Sequence, residues 1–135
     1  ARLSVSRAGR STLWPMSRSL VVKVTAGEDA KERCAQAFTV AATALASGIP
    51  VSLWLTGEAA WFALPGRAES FAREHSAPLA DLLSALRTGA SVTLCTQCAA
   101  RRGITEADVL DGVRIAGAAA FVEEALGPDV QALVY

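Results

Sequence analysis

SVTLCTQCAARRGI, at residues 91–104, combines a short apolar run with two thiols, two arginines and a glycine. The run at 91–94 is rich in β-branched and apolar residues, which favour a β-strand, and it ends on Cys95. The residues that follow are compatible with a turn or two of helix, closed by a glycine suited to a helix C-terminus. The stretch therefore predicts a strand and then a short helix, with Cys95 at the strand end and a second thiol, Cys98, inside the helix.

The same alternation of strand and helix extends along the whole chain. Further strands are predicted from β-branched and apolar runs at residues 19–25, 50–56, 113–116 and 130–134. Helical stretches are predicted between them, at residues 29–47, 58–64, 78–89 and 117–126. Such alternation implies parallel strands with right-handed crossovers. We expect one α/β domain with flavodoxin-like layering over residues 16–135: a five-stranded parallel sheet with helices on both faces.

Two helix starts are predicted from side-chain capping signals. Asp29, with Glu32 three residues on, has the spacing of a capping box for the first long helix. Thr105, with Asp108, carries a similar signal and predicts a short helix before the fourth strand. Gly48 predicts the end of the first long helix, because glycine readily adopts the left-handed conformation of a helix C-terminus.

Composition limits the class of protein. Residues 1–15 carry three arginines and no acidic residue, and we interpret them as a disordered leader or an upstream remnant before a native start at Met16. Residues 16–135 then carry ten basic and thirteen acidic residues, a net charge of −3 that argues against nucleic-acid binding. No apolar run reaches the roughly 18 residues of a membrane span. Three cysteines without a secretory leader favour reduced thiols and a cytoplasmic protein.

The residues after each predicted strand are expected to gather at one edge of the sheet. They include Gly27, Gly57, Cys95 and Gly117. Open α/β sheets bind ligands outside the carboxyl ends of their strands, and glycine lets a backbone approach a ligand closely. We therefore predict the three glycines as binding residues at this edge, with Trp61 as a candidate wall of the same cleft.

Cys95 is the candidate nucleophile at this edge. Free N–H groups at the start of the short helix favour a thiolate, and the positive charges of Arg101 and Arg102 would add to the effect. A thiolate there can attack a sulfur donor and hold the transferred sulfur as a persulfide. Cys98 is either a resolving thiol or a packing residue. Cys34 is predicted to be a small buried hydrophobic residue in the first long helix.

Other interpretations of the CxxC at 95–98 remain open. It is compatible with a thiol–disulfide redox pair, although the flanking residues differ from those of thioredoxin-like sites. A structural zinc site needs four ligands, and no second CxxC or HxxxH accompanies this one, so no metal is expected. No glycine-rich nucleotide motif or Walker lysine is present, so no cofactor is expected. A non-catalytic oligomeric scaffold or small-ligand binding module with the same fold is a further alternative.

Residues 94–104 (LCTQCAARRGI) resemble the active-site stretch of the DsrE/DsrF-like family, also called YchN-like, of small sulfur-relay proteins. In that family a cysteine directly after the third strand is followed by a short helix and an Arg-Gly-aliphatic end. Residues 53–57 (LWLTG), with the short helix through Trp61, resemble the family's second strand and turn. The resemblance covers residues 19–135.

The resemblance implies a five-stranded parallel α/β domain that assembles as a trimer or hexamer, with the cysteine at or near a subunit interface. Members with this cysteine carry sulfur as a persulfide in tRNA thiolation or sulfur-oxidation relays, whereas some relatives lack it. Cys95 occupies the matching position, and Cys98 is an addition to the pattern. We therefore expect a sulfur carrier or sulfurtransferase that receives sulfur on Cys95 from a donor protein or passes it to an acceptor protein.

Overall fold

Five parallel strands form one sheet in the computed structural model, which describes residues 18–135. The strands are β1 (Ser19–Val24), β2 (Val51–Leu55), β3 (Ser91–Cys95), β4 (Val113–Ala116) and β5 (Val130–Val134). Their order in the sheet is β4-β3-β2-β1-β5, and every neighbouring pair is parallel. The predicted fold class is confirmed, whereas the prediction of a leader at residues 1–15 lies outside the described residues.

Four α-helices connect the strands: α1 (Lys31–Ala46), α2 (Leu79–Gly89), α3 (Thr96–Arg101) and α4 (Ala118–Ala125). Two 3₁₀ helices are also present. The one at Glu28–Ala30 directly precedes α1, and the one at Gly57–Ala63 forms where a helical stretch was predicted at residues 58–64. Gly48 follows α1 with a φ of +86°, as expected for a glycine at a helix C-terminus. Within residues 18–135, no helix combines the length and the apolar character needed to cross a membrane.

The two faces of the sheet are covered differently. The face that we call the core face packs against α1, α2 and the 3₁₀ helix at 57–63, and Phe38 and Phe62 meet there at 6.0 Å between ring centroids. Its strand residues are Val22, Val24, Leu53, Leu55, Val92 and Leu94. The opposite side, the α4 face, is covered by α4 through an edge-to-face contact between Trp54 and Phe121 at 5.4 Å. Trp54 is 1% exposed, so this smaller interface also excludes water.

A polar network also joins α4 to the sheet. The carboxylate of Glu124 accepts hydrogen bonds from the Ser52 hydroxyl at 2.6 Å and from the Trp54 indole N–H at 3.0 Å. Arg114 of β4 pairs with the same carboxylate and donates to the Thr93 hydroxyl at 2.6 Å. Thr93 is fully buried, and its hydroxyl has a partner, as buried polar groups require.

Neither of the two predicted helix starts is observed. No side chain caps α1, because the Asp29 carboxylate accepts the N–H of Gly27 at 2.8 Å and the chain first makes the 3₁₀ turn at Glu28–Ala30. Thr105 does donate to Asp108 through its N–H and its hydroxyl, yet turns and not a helix follow. The N–H of Leu110 bonds to the carbonyl of Ala63 at 2.9 Å, which directs the chain back to the sheet before a helix can form.

Candidate functional site

Cys95 is the last residue of β3 and directly precedes α3. It pairs with Ala116 at the end of β4, so the thiol lies between two neighbouring strand ends. Side chains alternate along a strand, and Leu94 is fully buried in the core face, so the Cys95 side chain is on the α4 face. Cys95 is partly exposed, and it is therefore accessible to a reactant from solvent.

The surroundings of Cys95 favour the thiolate. Partial burial alone would raise the pKa of the thiol, because desolvation disfavours the charged form. The backbone N–H and thiol of Cys98, the N–H of Gln97 and the charge of Lys23 oppose this and hold the pKa of Cys95 below its ordinary value. The Cys95 side chain makes no capping hydrogen bond to α3. Cys95 is thus more ionised at neutral pH than an ordinary cysteine.

Cys98 lies one turn into α3 and is 8% exposed. Its sulfur accepts a hydrogen bond from the N–H of Gly57, with 3.2 Å between nitrogen and sulfur. This contact joins α3 to the turn after β2. Because the thiol of Cys98 also acts on Cys95, the structure brings both cysteines and Gly57 into one cluster, and no disulfide joins the two thiols.

The predicted glycines gather at the carboxyl edge, but two of them face protein. A Cβ on Gly27 would stand 2.7 Å from the carbonyl oxygen of Glu58, and a Cβ on Gly57 would stand 2.7 Å from that of Thr25. The turns after β1 and β2 therefore pack backbone against backbone, which glycine alone permits. Gly117 has more room, since its nearest neighbour would be the Thr96 hydroxyl at 3.8 Å. Gly117 is thus the predicted glycine with space beside it.

Neither arginine of the motif is among the groups that act on the sulfur of Cys95. Arg102 forms an ion pair with Glu58 at 2.7 Å, and its guanidinium lies 5.8 Å from the ring centroid of Trp61. Arg67 lies over the same indole at 4.4 Å. Arg101 is exposed in the last turn of α3 and forms no ion pair within residues 18–135. Trp61 and Arg102 therefore form a second cluster at the far end of α3, and the cation that acts on Cys95 is a different residue.

That cation is Lys23, which the sequence did not single out. It is the second-last residue of β1, seventy-two positions before Cys95, and no local motif links the two. The only sequence signal was a charge in an otherwise apolar strand. Glu58, the partner of Arg102, was also missed, because it follows a different strand from its partner.

The other candidate ligands are separated from Cys95. Cys34 is fully buried in the core, as predicted, and burial, with the charges of Glu28 and Asp29, raises the pKa of its thiol to about 12. His75 is exposed in the segment before α2. Over the part of the chain that the structure describes, no three His, Cys, Asp or Glu side chains come together as a possible metal site.

The chain is similar to one family of proteins, to a curated sequence relative and to solved structures. The family model described as the DsrE/DsrF-like family matches residues 18–127. The chain is 33% identical over 95 residues to the uncharacterized protein MJ0989 of Methanocaldococcus jannaschii, covering 70% of this chain and 81% of that protein. Among solved structures, the ychN protein from E. coli matches with a TM-score of 0.72 at 21% identity. The MTH1491 protein of unknown function from Methanobacterium thermoautotrophicum matches with a TM-score of 0.66 at 12% identity. Each covers 87% of this chain and 99% of its own, which establishes the fold.

Proposed function

The chain belongs to the DsrE/DsrF-like family of sulfur-relay proteins, and from that premise we propose that it is a sulfur carrier or sulfurtransferase. In this proposal Cys95 accepts sulfur as a persulfide and passes it to a partner protein. The observation that carries the proposal is the contrast between two thiols of the same chain. Cys95 is accessible and its pKa is lowered, whereas Cys34 is buried and its pKa is raised to about 12.

The loading step follows from this chemistry. The Cys95 thiolate attacks the outer sulfur of a donor persulfide, R–S–SH, and a new S–S bond forms as the old one breaks. The donor leaves as the thiolate R–S⁻ with the electron pair of the broken bond, and Cys95–S–SH remains. No net oxidation occurs, so no external oxidant or reductant is needed. An acceptor thiolate then takes the outer sulfur by the same exchange.

Cys98 provides a second reaction for the Cys95 persulfide. Its thiolate can attack the inner sulfur of the Cys95 persulfide, which forms a Cys95–Cys98 disulfide and releases HS⁻. The two thiols are oxidised to the disulfide as the outer sulfur is reduced to sulfide, so the step balances. The hydrogen bond from the N–H of Gly57 to the Cys98 sulfur supports this role, because it holds that sulfur in the cluster that contains Cys95.

Intact mass spectrometry tests the loading step. The full chain is incubated with a small-molecule persulfide donor, desalted and weighed. Wild type is expected to gain about 32 Da, the mass of one sulfur atom, as expected for a persulfide on the nucleophilic thiol. Cys95→Ser is expected to gain nothing, and Cys34→Ser is the matched control, expected to load like wild type. An unmodified wild type, or equal loading of Cys95→Ser, would overturn the proposal.

The role of Cys98 is tested with the same protein. Cys98→Ser is expected to hold the added sulfur longer than wild type, because the resolving thiol is absent. Sulfide release from loaded wild type, measured with a methylene-blue assay, is expected to fall in this variant. Equal release from both proteins would assign Cys98 a packing role only.

A redox function of the Cys95–Cys98 pair is the second candidate. The effect of the Cys98 thiol on the Cys95 thiol favours it, because both sulfurs belong to one cluster. It predicts a reducible disulfide in the 88–101 tryptic peptide after mild oxidation of unloaded protein, seen by non-reducing peptide mapping. A non-catalytic scaffold would instead show neither sulfur loading nor a disulfide, and an ordinary alkylation profile for Cys95.

We also propose that the protein is a cytoplasmic homo-oligomer, a trimer or hexamer, with a sulfur donor or acceptor protein as its transient partner. An interface at α4 and β5 is supported by three large apolar side chains that are at least half exposed. They are Val122 at 50%, Leu126 at 80% and Val134 at 64%. Light scattering coupled to size-exclusion chromatography measures the subunit number. A monomer at all concentrations would overturn the assembly.

A further inference from the structure

We propose that Lys23 is a positioning residue for sulfur transfer, whose positive charge lies on the same face of the sheet as the Cys95 sulfur and favours the anionic form of that sulfur. The inference rests on the proposed function, because it concerns the same sulfur atom. It goes beyond that function by assigning the electrostatic role to a residue of β1, two strands away from the cysteine motif. The arginines of the motif itself do not carry this role.

The sheet register brings Lys23 to the side of the sheet that carries Cys95. Lys23 pairs with Trp54, and Trp54 pairs with Thr93, so these side chains form one row across three strands. Cys95 is two residues beyond Thr93, and residues two apart point to the same face. The backbones of β1 and β3 are about 10 Å apart, and Cys95 is about 7 Å further along its strand, so the lysine charge acts on the sulfur through space and not by contact.

A contact with α4 holds the Lys23 ammonium on this face. Its Nζ lies 5.0 Å from the ring centroid of Phe121, within the range of a cation–π interaction. Phe121 is itself fixed against Trp54 at 5.4 Å, so the ring is a defined support. No carboxylate pairs with Lys23 anywhere in residues 18–135, and its charge is therefore not neutralised by an ion pair.

The other charged groups of the neighbouring elements are paired with each other or exposed. Lys23 from β1 and the Cys98 thiol from α3 are the titratable groups that act on the Cys95 sulfur. The remaining charged side chains of the neighbouring elements are the pairs Glu58–Arg102 and Glu124–Arg114 and the exposed Arg101 and Glu123. A change at Lys23 therefore alters the charge that Cys95 experiences without releasing a second charge.

The role of Lys23 applies to both charged states of the carrier. Before transfer, the ammonium favours the Cys95 thiolate, the form that attacks the outer sulfur of the donor persulfide. After transfer, the terminal sulfur of Cys95–S–S⁻ carries the negative charge and the same ammonium attracts it. Lys23 forms no bond in either step, so the balance of atoms and electrons in the transfer is unchanged.

The pH profile of Cys95 alkylation tests the proposal on the full chain. Initial rates with iodoacetamide are measured from about pH 5 to pH 10, a range that brackets the titration of an ordinary thiol, and the label is located by fragmentation of the 88–101 peptide. Lys23→Gln is expected to shift the Cys95 profile to higher pH. Its rate below the midpoint is expected to fall about two- to fivefold, the size of a charge effect screened by nearby water. Lys23→Arg keeps the positive charge and is expected to retain the wild-type profile.

Lys31→Gln is the matched control. Lys31 also lies over a phenylalanine, at 5.5 Å from the ring of Phe71, but it acts on no group of the Cys95 cluster. Its profile is expected to equal that of wild type. An unshifted Lys23→Gln profile, or an equal shift in Lys23→Arg, would overturn the role of Lys23. Sulfur loading is measured separately, so a wild type that never gains a sulfur atom would refute the proposed function while leaving this test intact.

Discussion

Replacement of Glu124 by alanine tests how α4 is held on the sheet. The carboxylate accepts from the Ser52 hydroxyl and the Trp54 indole N–H, and it pairs with Arg114. These partners differ in their access to water, because Trp54 is 1% exposed whereas the Arg114 side chain is 47% exposed. Without the carboxylate, the indole N–H has no protein acceptor and little access to water.

The size of the effect follows from these exposures. An unsatisfied buried donor costs about 1–3 kcal/mol, and an exposed ion pair contributes about 0–1 kcal/mol. Glu124→Ala is therefore expected to lower the free energy of unfolding by about 1–4 kcal/mol. Glu124→Gln keeps an acceptor oxygen for the indole and loses only the ion pair, so its expected loss is about 1 kcal/mol or less.

Urea unfolding, followed by circular dichroism, measures both losses, provided that the slope of the free energy against urea is unchanged. Glu123→Ala is the matched control on the same helix, since Glu123 is exposed and forms no ion pair in the described chain. Its expected change is within about 0.5 kcal/mol. Equal losses for Glu124→Ala and Glu123→Ala would refute the role assigned to the network.

The same network predicts a pH dependence. Partial burial would raise the pKa of Glu124, but the hydrogen bonds from Ser52 and Trp54 and the charge of Arg114 lower it overall. A carboxyl whose pKa is lowered by folding adds stability above its unfolded pKa, about 4.3, and loses it as pH falls through the folded value. The stability difference between wild type and Glu124→Gln should therefore shrink on acidification below about pH 4.3. A difference that grows in acid would contradict this sign.

Two further predictions concern the turn after β2 and the buried thiol. Gly57→Ala should lower the free energy of unfolding by about 3 kcal/mol or more, because its φ of +51° and the Thr25 oxygen 2.7 Å from an added Cβ both oppose a side chain. Gly66→Ala, with a φ of +85° and open space, should lose only about 1–2 kcal/mol in the same urea assay. Cys34 should resist iodoacetamide in the folded protein up to about pH 10, whereas Cys95 is labelled, as peptide masses would show. Early labelling of Cys34 would contradict its burial.

Local sequence patterns were sufficient for most of the fold. The β-branched runs predicted all five strands to within one or two residues, and Gly48 predicted the end of α1. The resemblance to the DsrE/DsrF-like family is also confirmed. Helix starts were predicted less well. Asp29 accepts the N–H of Gly27 and does not cap α1, and Asp108 accepts the N–H of Thr105 although no helix follows. A capping motif indicates which local hydrogen bond a side chain can form, whereas contacts with the rest of the fold determine whether a helix follows.

The candidate site was also predicted only in part. The sequence alone predicts Cys95 as the strand-end thiol, because the end of an apolar strand is a local property of residues 91–95. The tertiary structure alone decides which groups surround that thiol: Lys23 from two strands away and the Gly57 N–H that binds Cys98. Strand order and register determine these neighbours, and side-chain periodicity reports only the face on which a residue lies. The cysteine motif could therefore be predicted from the sequence, whereas the lysine charge that acts on Cys95 was identified only from the arrangement of the strands.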